Sequence, residues 1–404
     1  MRICHVINIG FEAGGAEKVV RLVAEGLRAR GHRVNIIATE HRLDGHEAFA
    51  DIIVPEVRGN PVARVSGFFW HHEAYRRVKA AVRQIRPDVV HLHTIGLFSP
   101  SVLSATAGVP RVLTVHGPED WTLELLSWNL RSRSTGSGRL SAMDRARYAY
   151  LRFLQRPAYL PRLRRLDRVL VPSAYFAESI RRDVGGVPTH VVPNGIELPA
   201  SSPVPDSGRV LYVGRLESVK GPAVLVEAFA RVLRARPGAR LTLIGRGPQQ
   251  QALEGLVARL GLADNVRVAG YVPDDELLAA YHASMAVVIP SVGPENFPTV
   301  ALEALGVGRP LIATRVGGLP ELIGHSDNGF LVPPGDATAL AEAMGRVLAD
   351  PDLASGMGRR SVELARDYST ELFLDRLEAH YREVVSAHSP VDRIAAAVGP
   401  AAGP

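Results

Sequence analysis

Short apolar runs bounded by turn residues alternate with amphipathic stretches along nearly the whole chain, and no other feature restricts the fold as tightly. In the first half, strands are expected at Arg2–Asn8, Arg33–Ala38, Asp51–Val54, Val89–Leu92, Arg111–Val115, Arg168–Val171 and His190–Val192. Helices are expected between them at Gly15–Arg30, Arg64–Ile85, Ser99–Thr106 and Ser173–Arg182. The second half repeats the rhythm, with strands at Arg209–Val213, Arg240–Ile244, Val266–Val268, Ala286–Ile289 and Pro310–Thr314. Its helices are expected at Pro222–Arg236, Gln249–Leu260, Asp274–His282, Asp336–Leu348, Pro351–Arg366 and Thr370–Ser386. Such βαβ alternation calls for parallel sheets covered on both faces. The expected class is therefore α/β, with two doubly wound domains facing across a cleft and ligands beyond the carboxyl ends of the strands. The first domain spans residues 1–195 and the second 209–366, joined by a proline- and serine-rich linker at 196–208. Residues 367–388 hold a last helix, and the alanine, glycine and proline tail at 389–404 is expected to be disordered.

Composition narrows the setting. The only cysteine is Cys4, so no disulfide can form within the chain, and the cytoplasm is the expected compartment. No apolar run approaches the ~18 residues that span a bilayer, and MRICHVINIG reads as a first strand, not a signal peptide. The net charge of +6 is concentrated. Between Arg131 and Arg168 eleven arginines face only Asp144 and Asp167, a local +9 that leaves −3 for the rest. Lysine is rare: Lys18, Lys79 and Lys220 only. Where arginine is the habitual cation, a lysine suggests a need for a compact point charge.

The densest chemistry lies in VVIPSVGPENFPTVALEALG, residues 287–306. It reads as a buried strand, a turn-rich loop and a short helix starting at Pro298 or Thr299, with Asn296 placed to cap. Glu295 and Glu303 frame the turn. If the stretch were helical throughout, eight positions would separate them by roughly 12 Å, too far for a shared proton and suited to gripping two ends of one ligand. The amides of Phe297, Pro298 and Thr299 mark a helix N-terminus, a site for anionic oxygens, although Pro298 has no N–H to give. After the strand Arg209–Val213 comes GRLESVKG, which sets Arg215 and Lys220 at a strand end, a forked and a point-like cation suited to a departing diphosphate. The alternative is two solvated surface charges.

Other features are weaker. Gly14 and Gly15 open a helix directly after the first strand, but the spacing is not GxGxxG. Gly245 lies in a third glycine-rich turn, open to a base or phosphate or serving simply as a turn. His116 ends the strand RVLTVHG, and His91 and His93 end its neighbour DVVHLHT. The three could bind a metal, but no carboxylate or cysteine is placed to complete the set, so contact with a sugar or a satisfied interior role is favoured. His71 and His72 read as one helix face. The basic stretch 121–165 reads as a solvated arginine face, or as contact with an anionic acceptor or membrane surface anchored by Trp121, Trp128, Tyr148, Tyr150, Phe153 and Tyr159. No nucleic-acid-binding module surrounds it.

Taken in order, GGAEK (14–18), VVHLH (89–93), LTVHG (113–117), VPNGIE (192–197), VGRLESVKG (213–221), IGRGP (244–248), PENFPTVALEALGVGRP (294–310) and NGFLVPPGD (328–336) resemble the motifs of retaining glycosyltransferase family 4. The resemblance runs from the first strand to the last helix, apart from the insertion at 121–165 and the tail. It implies the GT-B fold of two Rossmann-like domains, with the last helix crossing back to the first. It implies a hexosyltransferase using a UDP- or GDP-sugar in cell-surface polysaccharide, glycolipid or secondary-metabolite glycoside synthesis. Arg215 and Lys220 would hold the diphosphate, with the Gly14–Gly15 amides closing over it. Glu303 would take the ribose, and the backbone near Tyr271 and Val272 the base. Glu295, with the amides of Asn296, Phe297, Pro298 and Thr299, would hold sugar hydroxyls and the distal phosphate, and His116 would stand beside the transferring sugar. His93 and Trp121 are the acceptor-side candidates. Neither a resident cofactor nor a metal is expected, and the enzyme would be cytoplasmic or peripheral on the inner face of the membrane. The rivals are a nucleotide-sugar 2-epimerase of the same fold and a non-catalytic nucleotide-sugar binder.

Overall fold

The computed structural model describes residues 1–12, 14–40, 48–57, 66–117, 119, 121–122 and 142–388. Much of the basic stretch, residues 123–141 with Trp128, and the tail 389–404 lie outside the described residues. The chain folds as two units.

The first unit is a seven-stranded sheet made of β1 (Arg2–Val6), β2 (Arg33–Thr39), β3 (Ile52–Val54), β4 (Val89–Leu92), β5 (Arg111–Thr114), β6 (Arg168–Val171) and β7 (Thr189–Val191). Every pairing is parallel, in the order β3-β2-β1-β4-β5-β6-β7. The chain runs outward from β1 in one direction and then returns to start again at β4, which leaves a switch point beyond the carboxyl ends of β1 and β4. The strands are apolar on both faces because helices cover both, so they read as continuous runs and not as alternation.

The helix Gly15–Ala29 buries Val19, Val20, Val23, Ala24 and Leu27, an i, i+3, i+4 stripe. The C-terminal helix Thr370–Ser386 belongs to this unit and packs on that same helix, with Leu374 against Gly26. Arg30 ties the two by donating to Asp375 at 2.6 Å and to the Glu371 carbonyl at 3.0 Å. The helix expected at Arg64–Ile85 is interrupted: residues 66–69 are helical, and after a break at Trp70 and His71 a second helix runs from His72 to Ile85, with His71 as its N-cap. His71 Nδ1 accepts the Ala74 amide and its Nε2 bonds the Pro55 carbonyl at 2.9 Å. The histidine read as part of a helix face is a buried cap.

The second unit holds β8 (Arg209–Val213), β9 (Arg240–Ile244), β10 (Val266–Gly270), β11 (Ala286–Ile289), β12 (Leu311–Thr314) and β13 (Gly329–Val332). All are parallel, ordered β10-β9-β8-β11-β12-β13, so the switch point falls at β8 and β11. The stretch read as a linker is not loose. Ser202 N–H donates to the Val307 carbonyl at 3.2 Å, and Pro199 lies on Gly306. The buried Arg309 fixes it further, bonding the Ser202 carbonyl at 3.0 Å and the Tyr281 carbonyl at 2.9 Å. Four carbonyls, of Tyr281, Ser202, Gly308 and His282, and the Ser202 hydroxyl accept from the guanidinium, and burial lowers its pKa to about 10.

Candidate functional site

In the second unit the loops that follow β8, β9 and β11 are locked together by their own backbones. Leu216 N–H donates to the Arg246 carbonyl at 2.9 Å, and Gln249 N–H returns a bond to the Leu216 carbonyl at 3.0 Å. Gly245 sits at φ +140°, where a Cβ would stand 1.9 Å from the Gly214 carbonyl oxygen, so the turn admits only glycine. Its role is thus close packing of two strand-end loops. Gly221, at φ +67°, plays the same part toward β11: a Cβ there would lie 2.0 Å from the Pro290 oxygen. Val292 N–H donates to the Val219 carbonyl at 2.9 Å and seals the contact.

This clamp sets Lys220, the last residue of the turn Ser218–Lys220, against Glu295. The Lys220 Nζ stands 2.8 Å from each carboxylate oxygen of Glu295. Ser291 Oγ donates to Oε1 as well, and Gly318 N–H holds the Glu295 carbonyl at 2.8 Å. Glu295 is buried and its lysine half-buried, so the pair is partly desolvated and stronger than a surface ion pair. Arg215 differs. Its side chain is exposed and meets Glu217 at 2.9 Å, a surface contact weak enough to give way to a stronger anion.

The helix after β11 begins at Thr299, with Pro298 at its N-cap. Asn296 therefore lies two residues ahead of the cap and does not fill it, a correction to the sequence reading. Residues 295–298 are not helical either, so the rise that gave roughly 12 Å between Glu295 and Glu303 does not apply. Glu303 lies in the second turn, half-buried, and accepts the Tyr281 hydroxyl at 2.9 Å. Burial and then the Glu303 charge push the Tyr281 pKa well up, so the phenol stays a donor. Beyond β9 and β10, the Arg246 guanidinium stacks 5.3 Å from the centroid of the exposed Tyr271 ring, while Val272 is buried beside it.

In the first unit, Gly14 is the extended N-cap of the Gly15–Ala29 helix. An oxygen of Glu17, in the helix's own first turn, lies 3.3 Å from where a Gly14 Cβ would stand. At the ends of β1, β4 and β5 four histidines meet. His93 bonds His5 through one ring nitrogen and His116 through the other, both at 2.9 Å. His91 bonds Tyr381 Oη at 2.6 Å and Thr114 Oγ1 at 2.7 Å. The ring nitrogens of His5, His91 and His93 lie within 4.8 Å of one another, yet both nitrogens of His91 and of His93 are committed to these bonds.

His93 is buried and Trp121 wholly so, in the core beside Tyr159. His93 is held by its bonds to His5 and His116, and Trp121 and Tyr159 are packed in the core, so none of the three has the exposure that an acceptor contact or a surface anchor needs. Sequence reading also passed over His5, Ser291 and Tyr281. The first carried a signal: His5 stands in register with His91 on the adjacent parallel strand.

Burial is the largest cause of the low pKa values here, with His5 pushed down to about 3 and His91 and His93 well below the usual value. Unfolded histidines titrate near 6.5, so below that pH the unfolded chain binds protons that the folded chain refuses. Stability from these groups is complete above pH 6.5 and falls as pH drops, by up to about 1.4 kcal/mol per pH unit for each histidine. Urea unfolding at pH 7.5 and 5.5 should show this loss, and His91→Gln should shrink the pH dependence.

The switch point of this doubly wound unit gathers a lysine, a buried carboxylate and a helix N-terminus, groups whose chemistry suits a phosphorylated, hydroxyl-bearing ligand. Comparison with known proteins narrows this class. Residues 13–199 match the family model described as Glycosyltransferase Family 4, and residues 197–363 the one described as Glycosyl transferases group 1. The chain belongs to glycosyltransferase family 4, with the GT-B fold. It is 33% identical over 287 residues to a glycogen synthase of Mycobacterium tuberculosis, an alignment covering 69% of this chain and 64% of that protein. The chain thus spans somewhat less than two thirds of that relative's length. Among solved structures, sucrose-phosphate synthase of Thermosynechococcus elongatus aligns with a TM-score of 0.72 at 25% identity, over 96% of this chain and 100% of that one. HepE of Anabaena in complex with UDP-glucose aligns with a TM-score of 0.69 at 21% identity, over 96% and 100%.

Proposed function

We propose that this protein transfers a hexosyl group from a UDP- or GDP-sugar to an acceptor hydroxyl, with retention at the anomeric carbon. The observation that carries the reading is the Lys220–Glu295 pair at the β8/β11 switch point, beside the N-terminus of the Thr299–Val307 helix. Lys220, the exposed Arg215 and the helix amides would stabilise the diphosphate as negative charge develops on it. Glu303 would take the ribose, and the Arg246–Tyr271 stack offers a flat surface for the base. Glu295 accepts two bonds at Oε1 and one at Oε2, which leaves a lone pair for a sugar hydroxyl. A carboxylate so neutralised is a poor nucleophile, which favours proton transfer from acceptor to departing phosphate oxygen over a covalent intermediate. The HepE complex supports the choice of donor class.

The test is incubation of UDP- and GDP-hexoses with candidate acceptors, read by mass spectrometry, with NMR of the product's anomeric configuration. Transfer with retention, unchanged by EDTA, is expected. Conversion of the donor alone would point to an epimerase, and inversion would overturn the stereochemical part.

The proposal extends to an anionic membrane surface. Met143, Phe153 and Leu154 are 82%, 68% and 55% exposed, interleaved with the exposed Arg145, Arg147 and Arg152. Among the described residues no helix is long and apolar enough to cross a membrane. Cosedimentation with phosphatidylglycerol vesicles should be strong at low salt, weak with phosphatidylcholine, and lost in Phe153→Ser/Arg152→Glu. Equal binding to both vesicles would remove this part.

A further inference from the structure

Three histidines at the carboxyl ends of β1, β4 and β5 form a series: His5 Nδ1 meets His93 Nε2, and His93 Nδ1 meets His116 Nε2, each at 2.9 Å. Their rings stack in the same order, with centroids 5.2 Å apart at both steps. At the inner end, His5 Nε2 is buried and has no partner among the described residues. At the outer end, His116 is half-buried, where β5 gives way to its loop.

A neutral imidazole has one N–H and one lone pair, so a series of three can run in only two directions. If His116 donates inward, every ring carries its proton on Nε2, and the series ends on a buried His5 N–H with no acceptor. If His5 donates outward, the unmatched atom is a bare lone pair. Buried N–H groups left without acceptors are the rarer of the two in folded proteins. A charged ring in the middle would donate both ways. Burial and the neighbouring imidazoles His5, His91 and His116 oppose that charge on His93, and Arg28 opposes it on His5. The hydroxyls of Tyr381 and Thr114 face His91, outside the series.

We infer that His5 and His93 are positioning residues whose hydrogen bonds run outward to His116, fixing its ring as the neutral Nδ1–H tautomer with Nε2 as acceptor. His116 then carries its proton on Nδ1, the ring nitrogen turned away from the series. An effect on turnover rests on the function proposed above, whereas the tautomer itself does not. Pre-organising such a donor removes a reorientation step from the chemical event.

The experiment is nitrogen-15 NMR of the histidine side chains in the full chain at pH 7.5, with His116 assigned by comparison with His116→Gln. A pyrrole-type Nδ1 and a pyridine-type Nε2 on His116 are expected, and the opposite tautomer or an imidazolium would overturn the inference. His5→Leu removes the first donor, so His116 should become a mixture of tautomers. Its kcat should fall by up to about tenfold, the weight of one hydrogen bond, with the donor KM unchanged. His5→Asn, which keeps an N–H near the Nδ1 position, should recover the single tautomer and most of the kcat. Should His5→Leu not fold, the wild-type and His5→Asn spectra still decide the matter. A wild-type chain with the expected tautomer but no transferase activity would reject the proposed function and leave the series standing.

Discussion

Replacing Lys220 with alanine is expected to lower kcat by about 10²- to 10³-fold, the range measured when one pre-organised donor is taken from a developing anion. The same change leaves the buried Glu295 with Ser291 as its one side-chain donor among the described residues, so stability should also fall, by about 1–3 kcal/mol. These two effects are separable. Adding Glu295→Gln to Lys220→Ala removes the unpaired charge and should restore much of the stability without restoring turnover. Lys220→Arg should not rescue activity either. The carboxylate straddles a single nitrogen at 2.8 Å from both oxygens, and a planar guanidinium cannot occupy that point. Steady-state kinetics beside urea unfolding of the three variants would check all of this. Full turnover in Lys220→Ala would remove the leaving-group assignment.

The second large effect is expected at Gly221. Alanine there would carry both the strain of φ +67° and a Cβ 2.0 Å from the Pro290 oxygen, which belongs to a backbone that has nowhere to move. A loss of about 3 kcal/mol or more is expected, because unfavourable dihedral and steric clash add. Gly186→Ala is the control. Its φ is +84° but nothing lies within 4 Å of its Cβ, so only the dihedral cost, about 1 kcal/mol, should appear. Gly221→Ala should weaken donor binding at least tenfold as well, since the clamp that fails is the one setting Lys220 against the Pro290–Glu295 loop. Thermal unfolding of the two variants side by side separates clash from strain. Equal losses in both would mean that the close approach contributes nothing.

The fold was legible in the sequence because most strands are bounded by turn residues and buried on both faces, the edge strands Thr189–Val191 and Val266–Gly270 being partly exposed. Strands such as Val89–Leu92 and Arg209–Val213 begin and end where their apolar runs do. The site's local elements were legible for the same reason, as strand-end loops followed by helices. What escaped was what one residue does to another distant in sequence. Pro298 rather than Asn296 caps its helix because backbone dihedrals, not side-chain type alone, decide the cap. Trp121 resembled an exposed anchor in an arginine-rich stretch, yet the core closes over it. The proline-rich stretch near Ser202 looked like a tether until the buried Arg309 was seen to grip its carbonyl. Lys220 and Glu295 were each singled out, but their pairing required the Gly221–Pro290 contact, which no pattern announces.

The most direct test is calorimetric titration of UDP and GDP, and then of their hexose conjugates, into the wild-type chain and into Lys220→Ala. One nucleotide should bind the wild type, and at a hundredfold excess over its Kd it should stabilise the fold by about 2.7 kcal/mol, with that gain largely lost in the variant. Binding of neither nucleotide, or equal binding by both proteins, would contradict a diphosphate held at Lys220.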